Sequence, residues 1–255
     1  MRQIGQNGLS TSLRFPAPVF SRKQEQEVQG DTMTRYGARI WLLAAGTSSM
    51  AGYVDAVGFL KLGGLFVSFM SGNSTRLAVG LVVDPAVAQR ALALLAAFVG
   101  GVIAGTLVAA VAGTWRKPAI LLVVAALIGL AAYGGPPISD GWATPLMAAA
   151  MGCVNTTFQR AGEVSIGVTY MTGTLVKFGQ RVADAVMGGP RWGWVPYLAL
   201  WLGLVAGAAA GSFAYLAAGM ASLWGAVGMA LVLAVCAALL GPTEPSRAMA
   251  APVES

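Results

Sequence analysis

The chain has 255 residues, of which 56% are hydrophobic and only 10% charged, against roughly 25% charged in an ordinary soluble domain. A water-facing globule is excluded by that shortage, and the net charge of +6 is of the kind that cytoplasmic membrane loops accumulate, so the expected partner is the lipid bilayer and no nucleic acid. There is no histidine, which removes imidazole ligation and imidazole acid-base catalysis, and Cys153 and Cys236 both lie in apolar runs, so no metal site, disulfide framework or cofactor is expected.

Residues 1–34 are polar and Gln/Arg-rich and read as a disordered cytoplasmic tail, with Met33 a natural alternative start to Met1. Residues 35–240 read as a single transmembrane domain and 241–255 as a C-terminal tail. Eight apolar segments follow: 38–60, 62–83, 91–115, 119–133, 142–158, 164–187, 194–218 and 222–240. Turn signals separate them, among them the glycines at 63 and 64, Asp84-Pro85, Arg116-Lys117-Pro118 and the Gly-Gly-Pro at 188–190. Arg35 and Arg39 ahead of the first run also suit a signal peptide, but the run continues to Leu60 without a small-residue cleavage site, so it reads as the first span.

Two segments are interrupted by polar and small residues: VSFMSGNSTR at 67–76 and VTYMTGTLVK at 168–177. These blocks stand 101 residues apart, Gly52-Tyr53-Val54-Asp55 and Gly152-Cys153-Val154-Asn155 stand 100 apart, and Gly101/Gly105 face Gly203/Gly207 at 102. The halves are therefore expected to be duplicates, about 38–134 and 142–240. Eight crossings would put Arg116 and Lys117 outside and Asp84 and Asp140 inside, against the positive-inside bias. If the second segment of each half only half-crosses, the inner side collects Arg39, Arg116, Lys117, Arg160, Arg181 and Arg191 with the basic residues of both tails, while Lys61, Asp84, Arg90 and Asp140 stay outside. The expected fold is an all-α polytopic transmembrane helix bundle with an inverted internal two-fold repeat, six full spans and two broken or half-crossing segments.

Backbone in hydrocarbon must be hydrogen-bonded, so a break in a span survives only inside protein or beside water. Ser71, Gly72 and Asn73, with Thr172, Gly173 and Thr174, supply the groups that re-satisfy freed amides. Both breaks are thus expected to line one polar site. A helix starting at a break favours an anion, and Arg76 and Lys177 one turn further on strengthen that choice, unless they snorkel to the nearer surface. Asp55, about ~7 Å from the end of its span at 1.5 Å per residue, needs a partner there; Arg76 is the candidate, while capping of a fraying helix end is the plainer role. Its counterpart Asn155 has the same shape without the charge. The expected substrate-binding set is Asp55, Ser71, Gly72, Asn73, Arg76, Asn155, Thr172, Gly173, Thr174 and Lys177.

GYVDAVGFL at 52–60, followed by FMSGN at 69–73, resembles the YoaK family of bacterial integral membrane proteins, which carry a similar G-x-x-D-A-x-x-F/L stretch and a T/S-G-N motif. Gly52, Asp55, Ala56, Phe59, Ser71, Gly72 and Asn73 match; the second half has Thr174 in place of the asparagine. The resemblance covers about residues 40–240 and implies a multi-span inner-membrane protein with no established activity.

Three functions remain in play on the sequence. One is a small-solute transporter or channel for an anionic or zwitterionic solute, with Asp55 as coupling carboxylate. Another is a non-transporting scaffold or lipid-binding protein, with a homodimer through the GxxxG faces. An enzyme is not expected: Asp55 is the one carboxylate well inside a span, and a serine nucleophile with Lys177 as base has no spacing to recommend it.

Overall fold

The structure, a computed structural model, describes residues 37–133, 141–160, 163–164 and 166–241. The expected tail at 1–34 with the alternative start at Met33, the expected C-terminal tail at 241–255 apart from Gly241, and Arg35 and Asp140 lie outside these residues. Eight α-helices are described: α1 (Ala38–Leu62), α2 (Met70–Val83), α3 (Pro85–Ala112), α4 (Arg116–Tyr133), α5 (Ala143–Val154), α6 (Met171–Val186), α7 (Val195–Ala218) and α8 (Leu223–Leu239). A two-residue antiparallel ladder, Gln159–Arg160 on Glu163–Val164, is the one strand pairing among the described residues.

The helix ends follow from local chemistry. After α1 the chain turns at Gly63 (φ 64°) and Gly64 (φ 109°), a left-handed conformation that glycine adopts without strain, and Gly64 N–H donates to Phe59 O at 3.0 Å. Asp84 separates α2 from α3: its N–H donates to Gly80 O, and its carboxylate accepts the amides of Ala86 and Val87 at 3.0 and 3.4 Å. Pro85 occupies the first helical position, where no amide is required. Gly113 (φ 53°) and Gly219 (φ 56°) end α3 and α7.

The stretches Pro85–Tyr133 and Val195–Leu239 are long and apolar enough to cross a membrane by length and composition. Their exposed faces are apolar. Helix α3 exposes Leu92, Val99, Ile103 and Leu107 and buries Leu94 and Phe98 with Ala88, Ala91, Gly101 and Gly105, and α7 exposes Leu202, Phe213 and Leu216 while burying Tyr197, Leu200, Gly207 and Gly211. Large apolar side chains turned outward and glycines at the closest helix contacts are the arrangement that lipid selects.

Helix α1 packs chiefly on α7, α3 on α5, and α4 on α8. Glycines set these approaches. A Cβ on Gly207 would strike Ser49 O, and one on Gly211 the backbone of Tyr53; one on Gly101 would strike Ala149 O, and one on Gly105 would reach Thr156 Oγ1 and Cys153. The GxxxG faces are thus spent inside the chain, which removes them as the expected homodimer surface. Every buried residue of α1 has a buried counterpart 100 positions later, from Leu43 and Ala143 to Gly58 and Phe158. In the later helices the interval is 106: Leu94 and Leu200, Gly101 and Gly207, Gly105 and Gly211, Val124 and Ala230, Ile128 and Ala234. The glycine pair matching Gly101/Gly105 is therefore Gly207/Gly211, one helical turn beyond the expected Gly203/Gly207.

The helices differ in length from six equal spans. At 1.5 Å per residue α1, α3 and α7 exceed the ~30 Å hydrocarbon core, and α4 and α8 come close to it. The 12 residues of α5 cover only ~18 Å. Beyond Val154 the chain continues through turns at residues 155–158, all of them buried, so the counterpart of α1 is a half-length helix and not a full helical span.

Candidate functional site

The two interrupted segments break before the polar residues, at 63–69 and just ahead of Met171, and those residues then form the first turns of α2 and α6. In the first half the chain leaves α1 at Leu62 and comes back alongside it. Asp55 Oδ1 accepts the amides of Val67 at 2.9 Å and Ser68 at 2.8 Å. Because Asp55 precedes Leu62 by seven residues, the returning segment reaches about ~10 Å back along α1. Asn73, fully buried, clamps the same segment from the other side: its Oδ1 accepts Phe66 N–H at 3.0 Å and its Nδ2 donates to Phe66 O at 2.6 Å. Asp55 and Asn73 together thus satisfy three amides and one carbonyl that no helix or sheet serves.

The second interrupted segment is held by bonds from corresponding positions with different chemistry. Thr169 Oγ1 donates to Asn155 Oδ1 at 3.0 Å, and Asn155 Nδ2 donates to Met151 O at 2.8 Å. Thr174, at the place of Asn73, turns its hydroxyl back to Tyr170 O at 3.1 Å. Ser48 of α1 reaches the segment as well, its hydroxyl lying 3.1 Å from Val168 O and 3.0 Å from Leu200 O.

At the apex of each returning segment stands a fully buried valine, Val67 or Val168. Val67 fills the notch of Gly58, where a Cβ would lie 2.7 Å from Val67 Cγ1 and 3.4 Å from Met147 Cε of α5. Each apex therefore meets the first helix of the opposite half: Val67 near α5, Val168 on Ser48 of α1.

The expected substrate-binding residues divide into two groups. Asp55, Asn73 and Asn155 hold the returning segments by the bonds above, while Thr174 is buried and bonded within its own helix. Ser71, Arg76, Thr172, Gly173 and Lys177 are exposed on α2 and α6, with Gly72 half-buried. Asp55 does not pair with Arg76. Its oxygen takes two backbone amides, while a Cβ on Gly64 would lie 3.1 Å from Arg76 Nη2, placing that guanidinium over the turn. Ser74 and Thr75 donate back to Met70 O and Ser71 O within their own helix. Ser48, Ser68 and Thr169 were not among the expected site residues. The signal for the last two was their alignment with each other, 101 positions apart in the repeated block.

A separate pocket of about 350 Å³ is lined by Lys61 and Leu62 at the end of α1, Arg90, Ala93 and Leu94 of α3, and Gly141, Thr144 and Pro145 at the start of α5. None of the expected site residues lines it. It sets the last turn of α1 beside the first turn of α5.

Residues 43–236 match the DUF1275 family, described as a protein of unknown function. The chain belongs to the DUF1275 family. It is 37% identical over 185 residues to the UPF0700 transmembrane protein RA0705 of Rhizobium meliloti (strain 1021), covering 71% of this chain and 79% of that protein. No solved structure matches it. The apolar exterior and the transmembrane relative agree, and this DUF1275 chain is an integral membrane protein. The matched region contains all eight helices except the ends of α1 and α8, and with them both returning segments.

Proposed function

We propose that the chain is a small-solute transporter of the bacterial inner membrane, built from two inverted halves with a cytoplasmic N-terminus, and a carrier rather than an enzyme. The observation that carries this reading is the paired anchoring of the returning segments. Each is tied by the residue at one equivalent place, Asp55 or Asn155, and each has a fully buried valine beside that anchor, Val67 against Gly58 and Val168 with its carbonyl on the Ser48 hydroxyl. The recurrence of buried positions at 100 and 106 residues supports the two-fold repeat, and the end of α1 beside the start of α5 supports its inversion. We read the YoaK-type motifs and the DUF1275 membership as one kinship.

In this reading Val67 and Val168 close the path, and movement of one half against the other frees them. The solute is small and anionic or zwitterionic, attracted by Arg76 and Lys177 beside the starts of α2 and α6. Proteoliposomes loaded with the purified protein test it, with radiolabelled phosphate, sulfate, acetate and glycine as probes. At least one is expected to enter about tenfold faster than into protein-free vesicles, with that excess abolished by Arg76→Ala. Uptake equal to that of empty vesicles for all four opposes transport.

A second reading, a non-transporting scaffold or lipid-binding protein, draws support from the same valines. Both are fully buried, and Ser74, Thr75 and Thr174 satisfy their hydroxyls within their own helices. The absence of any uptake would favour it.

A further inference from the structure

We propose that the pocket between the end of α1, the first part of α3 and the start of α5 binds a phosphate-bearing anion, with Arg90 as its principal cationic contact. The pocket stands apart from Asp55, Asn155 and the returning segments, so the proposal is independent of transport. About 350 Å³ is the size of a small-ligand site. Its lining is amphiphilic in a way that suits a headgroup: Leu62, Ala93, Leu94 and Pro145 give an apolar floor, and Lys61 and Arg90 bring cationic side chains to it.

Two side chains in it have hydrogen-bonding capacity to spare. Arg90 uses Nε on Ala86 O at 3.3 Å and forms no ion pair among the described residues, so the fork of its two Nη groups remains for a ligand. Thr144 is 5% exposed, lines the pocket, and its hydroxyl has no hydrogen-bond partner among the described residues. The fully enclosed unpaired side-chain atoms among the described residues are Arg116 Nε and Thr157 Oγ1, so the Thr144 hydroxyl opens to the pocket and is available to donate to an oxyanion there. The equivalent position in the first half is Ala44, so the hydroxyl is not a requirement of the packing. An apolar floor below a guanidinium and a hydroxyl fits a phosphate with alkyl chains attached, and the polar part alone fits free phosphate.

Native mass spectrometry of the full chain released from nanodiscs tests the proposal and separates the two sources. In discs of phosphatidylcholine with about one-fifth phosphatidylglycerol, the wild type is expected to retain one phosphatidylglycerol. Arg90→Ala is expected to lower that retention about tenfold, the size of a charge-assisted hydrogen bond, Thr144→Val to lower it less, and Arg90→Lys, which keeps the charge without the fork, to give an intermediate loss. In discs of phosphatidylcholine alone, inorganic phosphate is added at millimolar concentration. A phosphate adduct and a rise in thermal midpoint, both lost in Arg90→Ala, would assign the site to free phosphate. Absence of both adducts from the wild type, or their equal retention by Arg90→Ala and Thr144→Val, overturns the proposal.

Discussion

Asp55 and Asn155 do the same mechanical task with different atoms. Asp55 offers one oxygen to two amides of the returning segment; Asn155 accepts a hydroxyl and donates to its own helix. An asparagine at 55 presents the same oxygen, so the shape of the anchor survives without the charge. Asp55→Ala leaves the Val67 and Ser68 amides without partners inside an apolar bundle, at an expected cost of about 2 kcal/mol, and Asp55→Asn is expected to cost less than half of that. Thermal unfolding in detergent measures both; equal losses would mean that the charge, not the acceptor geometry, holds the segment. Asp55 and Asn155 were legible as a pair from sequence, because they occupy one place in a repeated phrase. Their partners were not. A carboxylate near an arginine suggests an ion pair, but backbone amides freed by a helix break compete for the same oxygen, and only the fold shows that they lie closer.

At the scale of elements, glycine decides which helices touch. Gly100 and Gly101 are neighbours in α3 with opposite surroundings: a Cβ on Gly100 meets nothing within 4 Å, whereas one on Gly101 strikes Ala149 O. Gly101→Ala is therefore expected to force α3 from α5 and destabilise the protein by about 1–3 kcal/mol, while Gly100→Ala is neutral or slightly stabilising. The folded fraction surviving a heat step, read by size-exclusion chromatography, distinguishes them, and equal survival would contradict the close α3–α5 packing. The same glycines explain why the repeat was read one turn out of register. Gly203, Gly207 and Gly211 are spaced by four and all three approach α1 closely, so a slip of four residues preserves the pattern, and only burial singles out Gly207 and Gly211 as the match to Gly101 and Gly105. The short α5 was likewise hidden. Residues 142–158 form one apolar run, and hydropathy does not register that its last four residues turn instead of continuing the helix.

For the whole molecule, apolar runs, turn signals and duplicated phrases were enough to read an all-helical membrane bundle, because lipid imposes hydropathy on every exposed face. The destination of the breaks was less legible. Polar residues after each break promised a wet pocket, yet the break points carry fully buried valines, Val67 of them in the notch of Gly58, and part of the polar set completes the segments' own hydrogen bonds. The proposed inverted repeat requires that 63–83 enter and leave on one side, so that each half crosses three times. Side-selective thiol labelling in oriented membrane vesicles tests this most directly, with single cysteines in a cysteine-free background replacing Lys61, Ala86, Thr114 and Met187. The account predicts that Lys61→Cys and Ala86→Cys react from the same side, and Thr114→Cys and Met187→Cys from the opposite one. Labelling of Lys61→Cys and Ala86→Cys from opposite sides would mean that α2 crosses completely, and would contradict it.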